Sequence, residues 1–155
     1  TQEICCNRGT SGIDGSSSTA VGTAFVREGL VTLVTGDMAF FYDRNAFWHN
    51  YPLANLRIIL LNNHAGGIFR LIDGPAKQPE LAEFFETNQA LTAVHLAAEY
   101  GFHYAVVTTS EELETALVEF YEPSLQPKII EITSSSSRNA EILKKIKGSI
   151  SASFI

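Results

Sequence analysis

Residues 30–69, LVTLVTGDMAFFYDRNAFWHNYPLANLRIILLNNHAGGIF, contain two apolar, β-branched runs, Leu30–Thr35 and Leu56–Leu61. Each is short, continuous and followed by polar residues, the pattern of a buried strand in a parallel sheet. Gly36-Asp37 follows the first run and Asn62-Asn63 the second. In open α/β sheets, ligands lie beyond the carboxyl ends of the strands, where such residues collect. Asp37 offers a hard carboxylate oxygen and Asn63 a carboxamide oxygen, and the backbone carbonyl of Ala65 is a third donor. An all-oxygen set with coordination positions left over suits Mg²⁺, which keeps waters and completes its octahedron with phosphate oxygens. A helix starting near Ala39 aims its free N–H groups at the same phosphates. The stretch therefore reads as a Mg²⁺–diphosphate site; the plainer alternative is a pair of turns closing two strands.

The rest of the chain extends this pattern. Ile4–Cys6 reads as a short strand entering Asn7–Gly15, where three glycines in nine residues allow a ligand to approach the backbone closely. Asp14 or a following serine caps a helix through Ser18–Val26. Phe40, Phe41, Phe47 and Trp48 recur at helical spacing and predict a core-facing helix over Ala39–His49. A short helix at Glu80–Phe85 and another over Ala90–Tyr100 follow, the latter closed by Gly101. His103–Val107 is a strand, and Thr109 or Ser110 caps a helix over Glu111–Tyr121, with Glu112 placed for a capping box. A strand at Lys128–Thr133 and an amphipathic helix at Arg138–Lys147 complete the chain. Strands alternating with helices give an α/β fold, a doubly wound parallel sheet with helices on both faces.

Composition narrows the function. The 155 residues make one domain, 1–155, and the opening Thr1 without an initiator Met suggests a piece cut from a longer protein. A net charge of −6 argues against nucleic acid or an anionic membrane as partner. No apolar run approaches the roughly 18–20 residues needed to cross a bilayer. Cys5 and Cys6 are adjacent and form no stapling framework, which fits a reduced, cytoplasmic setting. The spacings support neither a Cys/His zinc set nor a Ser-His-Asp set. His64 lies beside the oxygen donors but is a poor partner for a hard-cation site.

Gly36-Asp37-Met38 followed, after the 23 residues Ala39–Leu61, by Asn62-Asn63 resembles the signature of thiamine-diphosphate enzymes. Three longer segments sharpen the likeness. Asn7–Gly15, NRGTSGIDG, and the segments GDMAFFYDRNAFW and NNHAGGIF resemble the menaquinone-pathway 2-succinyl-5-enolpyruvyl-6-hydroxy-3-cyclohexene-1-carboxylate synthases. These segments are spread across residues 7–69; the remainder agrees in general layout.

The resemblance implies a thiamine-diphosphate-binding fold of the diphosphate type, with thiamine diphosphate and Mg²⁺ (or Mn²⁺) as cofactors. Asp37, Asn63 and the Ala65 carbonyl would ligate the metal. The family usually has Gly at position 65, and a backbone ligand accommodates Ala there if φ is negative. Ser11 and Gly12 would line the aminopyrimidine pocket, and Ile13 would wedge the cofactor into its bent form. Gly36, Asp37, Met38, Ala39 and Asn63 would hold the diphosphate and its metal. Arg8 would bind a substrate carboxylate, consistent with the bidentate geometry of guanidinium, and Ile68 and Phe69 would wall the substrate pocket. The implied reaction decarboxylates 2-oxoglutarate and adds the succinyl unit to isochorismate. The cofactor holds the electron pair released with CO₂, while the protein supplies geometry, an apolar cleft and cations.

No catalytic residue is expected within these residues. The cofactor-activating glutamate belongs to a pyrimidine-binding domain contributed by a second subunit of a homodimer or homotetramer, so this piece alone is expected to be inactive. Two alternatives remain: another thiamine-diphosphate 2-oxo acid decarboxylase or carboligase, and a non-catalytic α/β binding module.

Overall fold

The computed structural model describes residues 2–7 and 12–152. Four parallel strands, β1 (Val31–Gly36), β2 (Leu56–Asn62), β3 (His103–Val107) and β4 (Lys128–Thr133), form one sheet in the order β1-β2-β4-β3. The helices are α1 (Ser16–Val26), α2 (Asp37–Tyr42), α3 (Val94–Glu99), α4 (Ser110–Phe120) and α5 (Ser136–Ala152). Side chains alternate across each strand and so divide between two cores. Leu56, Ile58 and Leu60 are fully buried in a cluster with Ala20 and Ala24 of α1, Phe40 of α2, and Leu96 and Ala97 of α3. On the other face Ile130 and Val107 pack with Phe120, and the half-buried Ile59 joins Leu113 and Leu117 of α4. Helices thus cover both faces, as the alternating pattern required.

Helix α4 carries the predicted cap. Glu112 N–H donates to Thr109 Oγ1 at 3.2 Å, and Thr109 N–H donates back to the Glu112 carboxylate at 3.3 Å. A 2.7 Å bond from the Thr108 N–H, aided by the Thr108 hydroxyl, holds the Glu112 carboxyl below the usual carboxylate range. The other end of α4 is closed by cations. Arg57, fully buried in β2, donates to the carbonyls of Phe120 (2.6 Å), Ala54 (2.8 Å), Leu56 (3.0 Å) and Glu122 (3.0 Å). Lys128 adds bonds to the Glu119 and Glu122 carbonyls at 2.6 and 3.1 Å. Positive charge at a helix carboxyl end complements its dipole. Burial lowers the Arg57 pKa from its ordinary value.

Several boundaries differ from the sequence expectation. Ile4–Cys6 is not a strand: it pairs with nothing among the described residues, and Ile4 remains exposed. A strand needs a neighbour to satisfy its backbone groups, and none is present there. The helix expected over Ala39–His49 instead begins at Asp37, stops at Tyr42 and resumes as a 3₁₀ turn over Arg44–Phe47. Trp48 and Tyr42 are exposed, whereas Phe40 and Phe47 are core residues and the half-buried Phe41 packs against that core. The break puts Asp43 where its carboxylate accepts both the N–H and the hydroxyl of Ser18, each at 2.7 Å. That bond replaces the expected cap from Asp14 or a serine: the residue before α1 is Gly15, at φ 76°, with no side-chain cap of its own. The helix expected from Ala90 starts only at Val94; ahead of it Leu91 N–H donates to the Gln89 side chain and Ala93, the residue before the helix, donates its N–H to Glu131. Residues 70–90 hold a 3₁₀ turn, Pro75–Lys77, and a π turn, Leu81–Phe85, where a short helix over Glu80–Phe85 was expected. The helix α5 extends the expected Arg138–Lys147 at both ends.

Candidate functional site at the carboxyl ends of β1 and β2

Strands β1 and β2 are neighbours in register, with Gly36 opposite Leu61. Asp37 therefore emerges beside Asn62, and Asn63 stands one residue further on. The Asp37 side chain belongs to the first residue of α2, with no intervening loop, and the residue is only 2% exposed. Its Oδ2 accepts one hydrogen bond, from Gln89 Nε2 at 2.8 Å. Among the described residues no cation lies in salt-bridge contact with it. A buried carboxylate without a counter-charge is costly, and metal coordination is the usual remedy.

The loop after β2 is shaped by its own amides. His64 N–H donates to Asn62 Oδ1 and Ala65 N–H to Asn63 Oδ1, both at 3.1 Å. These bonds hold His64 at φ 58°, an unusual conformation for a residue with a Cβ. A Cβ added at Gly67 would sit 2.8 Å from Asn63 Nδ2, so glycine there leaves room for the carboxamide. Ala65 is buried, and it is not among the non-glycine residues with positive φ, which meets the condition on alanine at this position. Its carbonyl accepts from Gly67 N–H at 2.9 Å and keeps a second lone pair. Asn63 Oδ1 likewise keeps a lone pair. Among the described residues no three His, Cys, Asp or Glu side chains form a cluster, so a cation here draws on amide and carbonyl oxygens. Such a hard, partly filled donor set fits Mg²⁺.

The other predicted residues divide. Gly36, Met38 and Ala39 are contiguous with Asp37 at the β1–α2 junction. Gly12 and Ile13 lie just before α1; a Cβ at Gly12 would collide with Asp14 Oδ1 at 2.3 Å, and Ile13 is exposed. Ile68 is exposed on a 3₁₀ turn, Gly67–Arg70, and Phe69 packs against Phe85 with ring centres 5.8 Å apart. Arg8 and Ser11 lie outside the described residues. A cavity bordered by Phe47, Tyr51, Tyr100 and Pro127 sits at the amino ends of the strands, remote from these loops.

Sequence reasoning missed three residues that build the site from behind. Glu131, fully buried in β4, accepts from Asn62 Nδ2 (2.6 Å), Ala93 N–H (2.8 Å) and the Tyr104 hydroxyl (2.6 Å). Burial and this bond to a carboxylate raise the Tyr104 phenol well above its ordinary pKa. Gln89 bonds both Asp37 and Asn62. The acidic residue inside the apolar run KIIEIT was the one available signal; Gln89 carried none. The 70–90 segment is pinned by a second buried acid: Glu86 pairs with Arg70 Nη2 at 2.7 Å and binds the Ser136 hydroxyl at the start of α5.

The model of the "Thiamine pyrophosphate enzyme, C-terminal TPP binding domain" family matches residues 4–132. Among similar proteins, a 2-succinyl-5-enolpyruvyl-6-hydroxy-3-cyclohexene-1-carboxylate synthase of Cytophaga hutchinsonii is 54% identical over 99% of this chain and 27% of its own length. Synthases of the same name from Christiangramia forsetii and Flavobacterium johnsoniae are 46% and 43% identical, over 91% and 92% of this chain and 24% and 26% of theirs. The chain thus spans about a quarter of the length of these curated relatives. The solved structure of a thiamine diphosphate-dependent 4-hydroxybenzoylformate decarboxylase from Rhodococcus jostii RHA1 superposes with a TM-score of 0.59 at 26% identity, over 75% of this chain and 22% of that one. The chain belongs to the thiamine pyrophosphate enzymes, as their C-terminal, cofactor-binding domain.

Proposed function

We propose that this chain is the diphosphate-binding domain of a 2-succinyl-5-enolpyruvyl-6-hydroxy-3-cyclohexene-1-carboxylate synthase, a single domain of a longer protein. The buried carboxylate of Asp37, without a cation beside it among the described residues, carries the reading. Its position at the mouth of two parallel strands suits the Mg²⁺–diphosphate end of the cofactor. The identity to synthases along nearly the whole chain supports this enzyme over other members of the family.

In this reading Asp37, Asn63 and the Ala65 carbonyl hold Mg²⁺, and Gly36, Met38 and Ala39 meet the diphosphate. When bound, the cofactor supplies an electron sink for loss of CO₂ from a 2-oxo acid. Ile13, exposed ahead of α1, gives an apolar support for the cofactor, and Ser11 and Gly12 line its aminopyrimidine pocket. Ile68 and Phe69 wall the substrate side and exclude water, and Arg8 orients a carboxylate of 2-oxoglutarate or isochorismate. The activating glutamate comes from the pyrimidine-binding domain of a second subunit in a cytoplasmic homodimer or homotetramer. No helix among the described residues is long and apolar enough to cross a membrane.

The test is CO₂ release by the full-length protein with Mg²⁺ and thiamine diphosphate, supplied with 2-oxoglutarate or pyruvate, each with and without isochorismate. Release from 2-oxoglutarate that rises with isochorismate is expected, together with loss of Mg²⁺-dependent cofactor binding in Asp37→Ala. Preference for pyruvate, or unchanged cofactor binding by Asp37→Ala, overturns the reading.

A further inference from the structure

We infer that Gln89 is a positioning residue for the metal site: it locks the Asp37 carboxylate so that one oxygen stays turned toward the cation. The inference rests on the Mg²⁺ reading above. Gln89 Nε2 bonds Asp37 Oδ2 at 2.8 Å and Asn62 Oδ1 at 3.3 Å. Its Oε1 accepts the Leu91 N–H, and its own N–H donates to the His64 carbonyl at 3.0 Å. The carboxamide orientation is therefore fixed: a flip would set its oxygen against the Asp37 carboxylate and its NH₂ against the Leu91 N–H.

Asn62 extends the brace. Its oxygen receives Gln89 and His64 N–H, while its nitrogen donates to Glu131 at 2.6 Å and to the Leu91 carbonyl at 2.9 Å. Asn62 and Glu131 are fully buried. The Gln89 NH₂ thus donates two ways, directly to Asp37 Oδ2 and to Asn62, which in turn donates to the Glu131 carboxylate in β4. With Oδ2 engaged, Oδ1 takes no hydrogen bond among the described residues and is the oxygen left for a metal. The same brace reaches the loop bearing Asn63 and Ala65, because both Gln89 and Asn62 bond the His64 backbone. One glutamine thereby couples the orientation of Asp37 to the placement of the other two donors. Residues that orient a metal ligand from behind typically affect metal affinity by about 10–100-fold.

The experiment compares the full-length protein with its Gln89→Met variant, which keeps side-chain length and removes both polar atoms. Mg²⁺ affinity is measured by titrating the metal at fixed thiamine diphosphate and following cofactor binding by calorimetry. The expected result is an Mg²⁺ affinity about 10-fold or more weaker, with kcat restored at saturating Mg²⁺ and KM for the 2-oxo acid unchanged there. Metal-free thermal unfolding checks that the variant is folded; Gln89→Ala replaces it if it is not. An Mg²⁺ affinity within about twofold of the parent in a folded variant overturns the inference. Absence of Mg²⁺-dependent cofactor binding in the parent itself overturns the site reading instead, so the two failures are distinguishable.

Discussion

Glu131→Gln is the most informative perturbation of the buried network. The carboxylate receives three donors: Asn62 Nδ2 on Oε1, and Ala93 N–H and the Tyr104 hydroxyl on Oε2. A carboxamide has one oxygen, which is best spent on the Oε2 side, where two donors meet. Its NH₂ then faces Asn62 Nδ2. Asn62 has no easy escape by flipping, because its oxygen serves His64 N–H and Gln89, and its nitrogen serves Leu91. One charge-assisted bond is lost and two donors confront each other out of water, each effect costing about 1.5–3 kcal/mol. Relief from burying a charge offsets part of this, leaving about 2–4 kcal/mol of destabilisation. For a domain of this size that lowers Tm by roughly 4–16 °C. Scanning calorimetry of full-length parent and variant at neutral pH is the assay. A Tm within about 1 °C of the parent would refute the account of Glu131 as an acceptor for three fixed donors.

Three further outcomes follow from named contacts. Arg57→Met leaves the Phe120, Ala54 and Leu56 carbonyls without their guanidinium and should cost about 3 kcal/mol or more, read as a lowered denaturation midpoint. Gly67→Ala places a Cβ 2.8 Å from Asn63 Nδ2; the carboxamide must move, and Mg²⁺-dependent cofactor affinity should fall about 10-fold with little change in metal-free Tm. Tyr104 has its folded pKa raised, so the stability it contributes is complete below the ordinary tyrosine value of about 10 and is lost as pH climbs past it. Ultraviolet difference titration should show a late ionisation that Tyr104→Phe abolishes; removal of a step at the ordinary value instead would contradict the assignment.

The four paired strands were legible as short apolar runs between turn residues. Only β2 and β4, at the centre of the sheet, are buried; β1, expected to be buried, is an edge strand with Val34 and the preceding Leu30 exposed. The ends of β1 and β2 then located Asp37 and Asn63 without further help. The capping box of α4 was equally readable, since Thr109 and Glu112 act within one turn. Helix boundaries near the site were not. The aromatic spacing after Asp37 reported which side chains turn inward, but not that the backbone stops at Tyr42 to deliver Asp43 to Ser18. The late start of α3 was not legible either: Ala93, the residue before it, gives its N–H to Glu131 of β4, a contact 38 residues away in sequence. Ile4–Cys6 had strand composition but no strand beside it among the described residues, so propensity had nothing to act on. Gln89 was invisible because a lone glutamine in a polar stretch acquires meaning only from what folds against it.

The bond between Asp43 and the first turn of α1 has a consequence for how this site tolerates change. The glycine-containing loop that ends at Gly15 and the Gly36-Asp37 junction are separated in the chain by a whole helix, a turn and a strand. Their relative placement is nonetheless anchored by one carboxylate gripping the Ser18 N–H and hydroxyl. The intervening turn at Arg27–Leu30 is exposed and takes no part in that grip. That turn has a fastener of its own, since Asn55 Nδ2 donates to the Arg27 and Gly29 carbonyls at 2.8 and 3.1 Å: the start of α1 and the β1–α2 junction are gauged by one cross-link and the turn between them by another, not by a count of residues.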